Sequence, residues 1–213
     1  YKRHTHMHTN LHLYGNVVQL KAILVKIQIE NKSLNFSTDN FKRDDKEVNH
    51  LMDLFFTFFT KDKKYFQEND IKVVFSGTDY PLPPKVIKAR ENITKLTANN
   101  KSGILNICLN YSGKLEIVDA TKKIIKDKVK LDDITEELFT KYLYQDLPNV
   151  DLMIRTSGEE RLSNFLPWQL AYSEFIFSKC YWPDFNKKEL YLAIKEYQSR
   201  NRRFGGLENK NVK

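Results

Sequence analysis

The sequence predicts an α/β protein with a central, mostly parallel sheet flanked by helices. Three short runs of β-branched and other apolar residues, 71–75, 104–109 and 151–154, suit buried strands. Stretches with apolar residues at helical spacing lie between these runs, and polar or turn-forming residues follow each of them. Because strands that alternate with helices pair in parallel, we expect a single sheet with helices on its faces.

The first half of the chain supplies helices and strands in alternation. Apolar residues recur at helical spacing from Val48 to Phe59, and a proline suits the first turn of the helix that begins at Pro83–Pro84. In chain order we predict a buried or amphipathic helix over Val17–Ile29, a strand end at Leu34–Phe36, a helix over Glu47–Phe59, a strand at Ile71–Phe75 and a helix from Pro83 to about Thr97.

The second half continues the alternation. Thr135 followed by two glutamates is typical of a capped helix start. We predict a strand at Ile104–Leu109, helices at Leu115–Lys128 and Thr135–Tyr144, a strand from Asp151, and helices at Asn164–Phe177 and Lys187–Arg202, the last ending at Gly205–Gly206. The chain shows no internal repeat and no low-complexity linker, so we expect residues 1–213 to form a single domain.

Four polar turns follow predicted strand ends, at Ser37–Arg43, Ser76–Asp79, Asn110–Lys114 and Arg155–Ser163. In a parallel sheet the carboxyl ends of the strands share one edge, where ligands bind. In the last of these turns Arg155 and Arg161 flank small polar residues, and a predicted helix begins directly afterwards. Guanidinium forks and helix N-termini both suit phosphate oxygens, so this turn predicts a diphosphate clamp.

Composition narrows the class of protein. With 213 residues, 29% charged and 41% apolar, the chain is long enough to bury a core and is not of the disordered type. The net charge of +8 is compatible with binding to nucleic acid, to an anionic lipid surface or to an anionic substrate. It is equally compatible with a solvated, lysine-rich surface that binds none of them. No nucleic-acid motif stands out, so we expect no nucleic-acid partner.

Cysteine usage and hydropathy bear on location. Cys108 and Cys180 lie far apart in apolar contexts, which fits reduced thiols of an intracellular protein and gives no metal spacing. No apolar run approaches the roughly 20 residues that a spanning helix needs. We therefore expect a cytoplasmic protein.

Several of these motifs resemble one enzyme family. The segment from Asp151 to Phe185 resembles the C-terminal pattern of the cis-prenyltransferases, the undecaprenyl and dehydrodolichyl diphosphate synthases, at nearly every fixed position. Phe36–Arg43 is similar to their F-S-T-E-N-W-x-R motif, with Asp39 for glutamate and Phe41 for tryptophan. His12-Leu-Tyr-Gly15 and Arg202–Gly206 resemble two further motifs, although Leu11 replaces a glycine.

The resemblance implies a role for each matching residue. Arg155, Arg161 and Ser163 would bind the isopentenyl diphosphate, and Glu174 would bind Mg²⁺. Ser37 and Asn40 would assist proton removal, with His12 beside the reacting diphosphates. Arg43 and Phe41 belong to the same substrate-binding turn. The aromatic helix at 51–59 fits the core, yet the family uses an equivalent helix to line a hydrophobic tunnel for the growing chain, and both roles can hold for different faces.

One family motif is missing. M-D-G-N-x-R, whose aspartate helps to bind the metal and the allylic diphosphate, precedes G-H-x-x-G in the family, and residues 1–4 are too few to contain it. The segment from Gly15 to Phe36 is also a few residues short. Either the sequence omits parts of the protein or the protein lacks them and is inactive. We expect the former, since an inactive enzyme would have no reason to keep Arg155, Arg161, Ser163 and Glu174 together.

The resemblance therefore implies a Mg²⁺-dependent enzyme that condenses isopentenyl diphosphate with an allylic diphosphate such as farnesyl diphosphate, making Z double bonds. It also implies a homodimer, or a heteromer with a related subunit, working near a membrane such as the cytosolic face of the endoplasmic reticulum. Two alternatives stay open, a non-catalytic partner subunit of a heteromeric enzyme and a basic nucleic-acid-binding protein. Product length and the preferred allylic primer are beyond the sequence.

Overall fold

The computed structural model describes residues 23–26, 28–29, 32–33, 36–38, 41, 44–61, 63–181 and 184–200. Contacts among these residues group them into two compact units. The first unit holds the described parts of 23–33, 148–161 and 169–200, and the second holds those of 36–147 and 162–168. That residues 1–213 form a single domain stays a prediction.

The second unit is built on a parallel sheet of β4 (Phe36–Ser37), β6 (Gly103–Tyr111) and β5 (Ile71–Ser76), in that spatial order. Ser76 lies opposite Cys108, and Ser37 lies opposite Tyr111. The carboxyl ends of the three strands therefore share one edge, as the sequence predicts for the turns that follow them.

Helices α1 (Asp45–Lys61), α2 (Lys63–Glu68) and α3 (Pro84–Leu96) cover this sheet. Their apolar faces form one core with the strands, which includes Met52, Phe55, Val73, Val86 and Leu109. The unit continues with α4 (Gly113–Lys126), a 3₁₀ turn at Leu131–Asp133 and α5 (Glu136–Tyr142), where the Thr135 hydroxyl accepts a hydrogen bond from the Leu138 amide. That contact confirms the predicted cap.

The first unit contains a parallel sheet in the order β1 (Ile23–Lys26), β7 (Leu152–Arg155) and β8 (Glu174–Phe177). β7 is the central strand and is buried along its whole length. Helix α6 (Lys187–Ser199) supplies Ala193, Ile194 and Tyr197 to a core with this sheet. A short antiparallel pair joins β2 (Gln28–Ile29) to β3 (Lys32–Ser33).

Two predicted helices are wrong, and both segments are neighbours of β7. Residues 23–26 and 28–29 of the helix predicted over Val17–Ile29 form strands, and residues 174–177 of the helix predicted over Asn164–Phe177 form β8. Short, mostly apolar runs such as Ile23–Lys26 and Glu174–Phe177 cannot be separated from a buried helix by periodicity alone. Left-handed backbone at Ser163, Asn164 and Leu166 also prevents a helix from starting there.

The other predicted elements are confirmed to within about two residues where the structure describes them. Helix α2 was not predicted. The strand end at Leu34–Phe36 is confirmed at Phe36, and Lys187–Arg202 is confirmed as far as Ser199. Arg200 is described and has extended backbone beyond the helix end, whereas Leu34, Asn35, Asn201, Arg202 and Gly205–Gly206 lie outside the described residues.

Candidate active site

Arg155 ends β7 and begins the turn that the sequence singles out. Its side chain is only 5% exposed, and the guanidinium donates a hydrogen bond to the backbone carbonyl of Arg161 at the other end of the turn. Arg161 itself is 68% exposed. The structure therefore brings the two arginines of the predicted clamp together, one as a buried scaffold and one as an exposed cation.

The backbone of this turn is held against the chain that follows β8. Ser157 and Gly158 adopt left-handed backbone, with φ of 75° and 70°. Their amides donate to the carbonyls of Cys180 and Ser178, both at 2.9 Å, and the Ser178 amide donates to the Arg155 carbonyl at 2.7 Å. These bonds fix where the turn presents its two guanidinium groups.

Glu159 bridges the two cations. Its carboxylate lies 3.9 Å from the Arg155 guanidinium and forms a closer ion pair with Arg161. Burial, and then the neighbouring charge of Arg161, lower the pKa of Arg155 below its ordinary value, while Glu159 opposes that shift. Two cations with a single acid between them leave room for a further anion, which is what a diphosphate supplies.

Ser163 belongs to the second unit and is exposed, on left-handed backbone with φ of 49°. The next residue, Asn164, is bonded to the start of α4. The Gly113 amide donates to its carbonyl at 3.0 Å, the Lys114 amide donates to its Oδ1 at 2.8 Å, and its Nδ2 donates to the Ser112 hydroxyl at 2.8 Å. The helix N-terminus next to Ser163 and Asn164 is thus that of α4, and not that of the helix predicted to begin at Asn164.

The first turns of α4, the helix that Asn164 contacts, also contain a buried acid. Glu116, in the first turns of α4, is 1% exposed and accepts hydrogen bonds from the Tyr111 hydroxyl at 2.5 Å and the Tyr144 amide at 3.0 Å. The Tyr111 ring packs edge-on against Phe165, with ring centroids 6.1 Å apart. Tyr111 therefore links the end of β6 to the segment that carries Ser163.

Ser37 and Phe41 are described among the other predicted substrate residues. Ser37 is the last residue of β4 and pairs with Tyr111 of β6. Phe41 is half-buried and packs against the core of the second unit. His12, Asn40 and Arg43 lie outside the described residues, so their predicted roles stay predictions.

Glu174 lies on the first residue of β8, not on a helix as predicted, and pairs with Leu152 at the start of β7. Arg155 pairs with Phe177 three residues further along, so Glu174 sits at the amino end of the strand pair, roughly 10 Å of strand from Arg155. Its carboxylate accepts a 2.8 Å bond from Arg200. That bond heads the causes that raise the pKa of Arg200 above its ordinary value.

A magnesium site would have to be completed by groups other than the described side chains. In the part of the chain that the structure describes, no three histidine, cysteine, aspartate or glutamate side chains come together as a metal site. Glu174 is one partly buried carboxylate, and Mg²⁺ often takes one or two carboxylates and fills its sphere with phosphate oxygens and water. The donor chemistry fits on that basis, with Arg200 as a competitor for the same oxygen.

Sequence reasoning missed the Asn164 junction and the Tyr111–Glu116 pair. The contact of Asn164 with the start of α4 was missed because the sequence assigned Asn164 to the start of a separate helix. The Ser112-Gly113 dipeptide between a strand and a helix was the available signal for a cap. Nothing in the local pattern of Glu116 predicts its burial, since the tyrosine amide that it binds lies 28 residues away.

Among the described residues, no helix is long and apolar enough to cross a membrane.

Known proteins similar to this chain agree with the geometry. The model of the family described as "Putative undecaprenyl diphosphate synthase" matches residues 3–205. An isoprenyl transferase of Fusobacterium nucleatum is 45% identical over 201 residues, covering 93% of this chain and 86% of the relative. One of Thermotoga maritima is 45% identical over 180 residues, covering 83% and 77%.

Two solved structures extend the similarity to the fold. A probable undecaprenyl diphosphate synthase from Campylobacter jejuni superposes with a TM-score of 0.79 at 28% identity, covering 89% of this chain and 100% of that one. Lavandulyl diphosphate synthase from Lavandula x intermedia, in complex with dimethylallyl diphosphate, gives 0.73 at 34% identity, covering 80% and 76%. The chain belongs to the cis-prenyltransferase family of undecaprenyl diphosphate synthases and isoprenyl transferases, and it has the α/β fold of that family.

Proposed function

We propose that the protein condenses isopentenyl diphosphate with an allylic diphosphate such as farnesyl diphosphate, and that the product is a Z-polyprenyl diphosphate. The observation that carries this proposal is the pair of guanidinium groups, Arg155 and Arg161, around a single carboxylate at the end of a buried parallel strand. In a chain of the prenyltransferase family, the anion that suits such a pair is a substrate diphosphate.

Arg161 meets the isopentenyl diphosphate first, because its side chain is the exposed one. As the diphosphate binds, Glu159 gives up part of its pairing with the two arginines, and the Arg155 guanidinium adds its positive charge to the site. The Ser163 hydroxyl adds a neutral donor to the same diphosphate. Because the backbone of the Arg155–Arg161 turn is already held in place, little of the turn has to become ordered when the diphosphate binds. The smaller loss of conformational entropy raises the affinity.

The segment that follows β4 supplies the next group of proposed roles. We assign proton removal from the isopentenyl unit to Ser37 and Asn40, and contact with the substrate diphosphates to Arg43 and His12. Phe41 lines the approach to this turn. Glu174 would share Mg²⁺ with the diphosphates, and the ion when bound would neutralise phosphate charge as the leaving group departs.

Helix α1 offers a surface for the growing chain. Its buried face belongs to the core, whereas Leu54, Phe56 and Phe58 are 52%, 37% and 38% exposed. We assign the tunnel lining to this exposed apolar face and the core role to the buried face. A dimer, with itself or with a related subunit, and peripheral contact with a membrane remain part of the proposal and can be checked by light scattering and vesicle sedimentation.

The deciding experiment measures incorporation of labelled isopentenyl diphosphate by full-length protein, with Mg²⁺ and farnesyl diphosphate. Arg155→Lys keeps the charge but loses the fork, so the KM for isopentenyl diphosphate should rise about 10-fold or more, as expected when a charged hydrogen bond of about 1.5–3 kcal/mol is lost. Extraction of the product and analysis of its double bonds then establish the Z geometry.

Arg90→Lys is the matched control. Arg90 is also a mostly buried arginine, with a side chain 15% exposed and paired to Asp79. Replacing its guanidinium group with the lysine ammonium group should leave the KM for isopentenyl diphosphate unchanged. Wild-type protein that incorporates no label, with every component present, would instead support the non-catalytic subunit. An unchanged KM in Arg155→Lys would remove the clamp assignment while leaving the activity intact.

A further inference from the structure

We propose that Asn164 is a positioning residue that holds the Ser163 hydroxyl where the isopentenyl diphosphate binds. This inference rests on the proposed function, because it takes Ser163 to be a diphosphate ligand. It adds a residue that acts without touching the substrate. Its basis is the network of contacts between the turn at 163–165 and the start of α4.

Asn164 directs its polar atoms away from the surface. Its backbone carbonyl and Oδ1 accept the amides of Gly113 and Lys114 at 3.0 and 2.8 Å, and its Nδ2 donates to Ser112 at 2.8 Å. The Leu115 amide is capped by the Ser112 hydroxyl at 3.4 Å. The first amides of α4 are therefore occupied by protein groups, and Asn164 serves the helix instead of a ligand.

The backbone at this point suits asparagine. Ser163 and Asn164 have φ of 49° and 60°, a left-handed conformation that asparagine tolerates better than most residues. The approach of the two chains is also close. A Cβ on Gly113 would lie 2.1 Å from the Pro167 side chain and 2.9 Å from the Asn164 carbonyl, so the contact requires glycine.

A second anchor holds the far side of the turn. Phe165 is buried, 4% exposed, and packs against Tyr111, whose hydroxyl is bonded to Glu116 of α4. Asn164 and Phe165 are thus both tied to the β6–α4 connection, while Ser163 next to them is exposed. Ser163 therefore lies at an exposed position whose backbone is fixed immediately after it.

The test uses Asn164→Gly in the full-length protein. Glycine keeps the left-handed backbone and the carbonyl contact, and removes only the two side-chain bonds. The KM for isopentenyl diphosphate should rise on the order of 10-fold, since small misplacement of a binding group is costly. The KM for farnesyl diphosphate and the kcat should stay within about twofold of wild type.

A double-mutant cycle with Ser163→Ala separates positioning from general damage. If Asn164 acts through the Ser163 hydroxyl, then Asn164→Gly adds no further rise in KM once Ser163 is alanine. Ser112→Ala, which removes the acceptor of the Nδ2 bond, is a milder second variant should Asn164→Gly fold poorly. It should raise the same KM in the same direction.

Asn100→Gly is the matched control in the same unit. The Asn100 amide donates to the carbonyls of Phe66 and Ile71 at 3.1 and 2.9 Å, at the amino end of β5, opposite to the edge where Ser37 and Ser76 end their strands. Its replacement should lower the thermal midpoint without changing the KM for isopentenyl diphosphate.

The outcomes are distinguishable. Wild-type protein without activity overturns the proposed function and this inference with it. Active wild type in which Ser163→Ala raises the KM but Asn164→Gly does not overturns the inference alone, as does a simple sum of the two effects in the cycle. A KM that rises in Asn164→Gly and in Ser163→Ala, and rises no further in the double variant than in Ser163→Ala alone, supports it.

Discussion

Glu116 shows, at the level of single residues, how a buried acid can organise a site that it does not enter. It is 1% exposed, and it binds a tyrosine hydroxyl from β6 and a backbone amide that follows α5. Burial, and then the charge of Glu116, raise the pKa of the Tyr111 hydroxyl well above its ordinary value. The hydroxyl therefore remains the donor in this pair across the working pH range.

Glu116→Gln should lower the free energy of unfolding by about 1–3 kcal/mol, because the glutamine NH₂ would face a donor where the acid presents an acceptor. Tyr111→Phe should cost a similar amount, since the acid loses its charge-assisted partner. Urea unfolding of both variants and of the double mutant measures the coupling, expected at about 1 kcal/mol. Strictly additive losses would show that the two groups act independently.

At the level of elements, a parallel strand was easy to predict where its turn was clear and difficult where only its neighbours identify it. The β-branched run at Ile71–Phe75, closed by Ser76-Gly77, determined β5 from local pattern. β1 and β8 have no such closing signal, and both become strands by pairing with β7. Pairing between residues more than a hundred positions apart, such as Ile23 with Leu152, is invisible to a local window.

The candidate site divides in the same way. The turn after β7 and the capped start of α5 were predicted correctly because their residue types indicate them locally, whereas the clamp role of the turn stays a prediction. The bonds of Asn164 to Gly113 and Lys114 could not be predicted, since they join segments about fifty residues apart that only the folded sheet edge brings together. Residues that hold a site in place are thus harder to predict than residues that carry its chemistry.

Gly77 gives a prediction at the scale of the β5–β6 pair. A Cβ at Gly77 would lie 1.9 Å from the Leu109 carbonyl, and its φ is +135°. Gly77→Ala must therefore push two paired strands apart, and should lower the free energy of unfolding by about 3 kcal/mol or more. Gly158 is the matched control, because it has φ of +70° with nothing within 4 Å of its Cβ.

Gly158→Ala should lose only the cost of left-handed backbone, about 1–2 kcal/mol. Chemical denaturation of the two variants, side by side, compares crowding with backbone strain. Equal losses would mean that the β5–β6 edge relaxes easily around an added methyl group, and that the carboxyl edge of this sheet is less rigid than the contact suggests.

For the whole molecule, the net charge of +8 is an argument about encounter and not about fold. Both proposed substrates are diphosphates, so a positive protein should attract them before any specific contact forms. A charge of this size is also compatible with the nucleic-acid alternative. The salt dependence of turnover and of DNA binding distinguishes attraction of diphosphates from binding of nucleic acid.

Raising the salt from about 0.05 to about 0.5 M should lower kcat/KM for both diphosphates severalfold, because the screening length falls well below the dimensions of the protein. The kcat at saturation should change little, since in the proposed clamp a bound diphosphate would be held by close, partly buried guanidinium groups that salt screens weakly. Steady-state rates at several salt concentrations, with added duplex or single-stranded DNA as competitor, provide the measurement. DNA that binds with a steep salt slope and abolishes turnover would favour the nucleic-acid alternative, whereas DNA without effect leaves the small diphosphates as the anions that the charge serves.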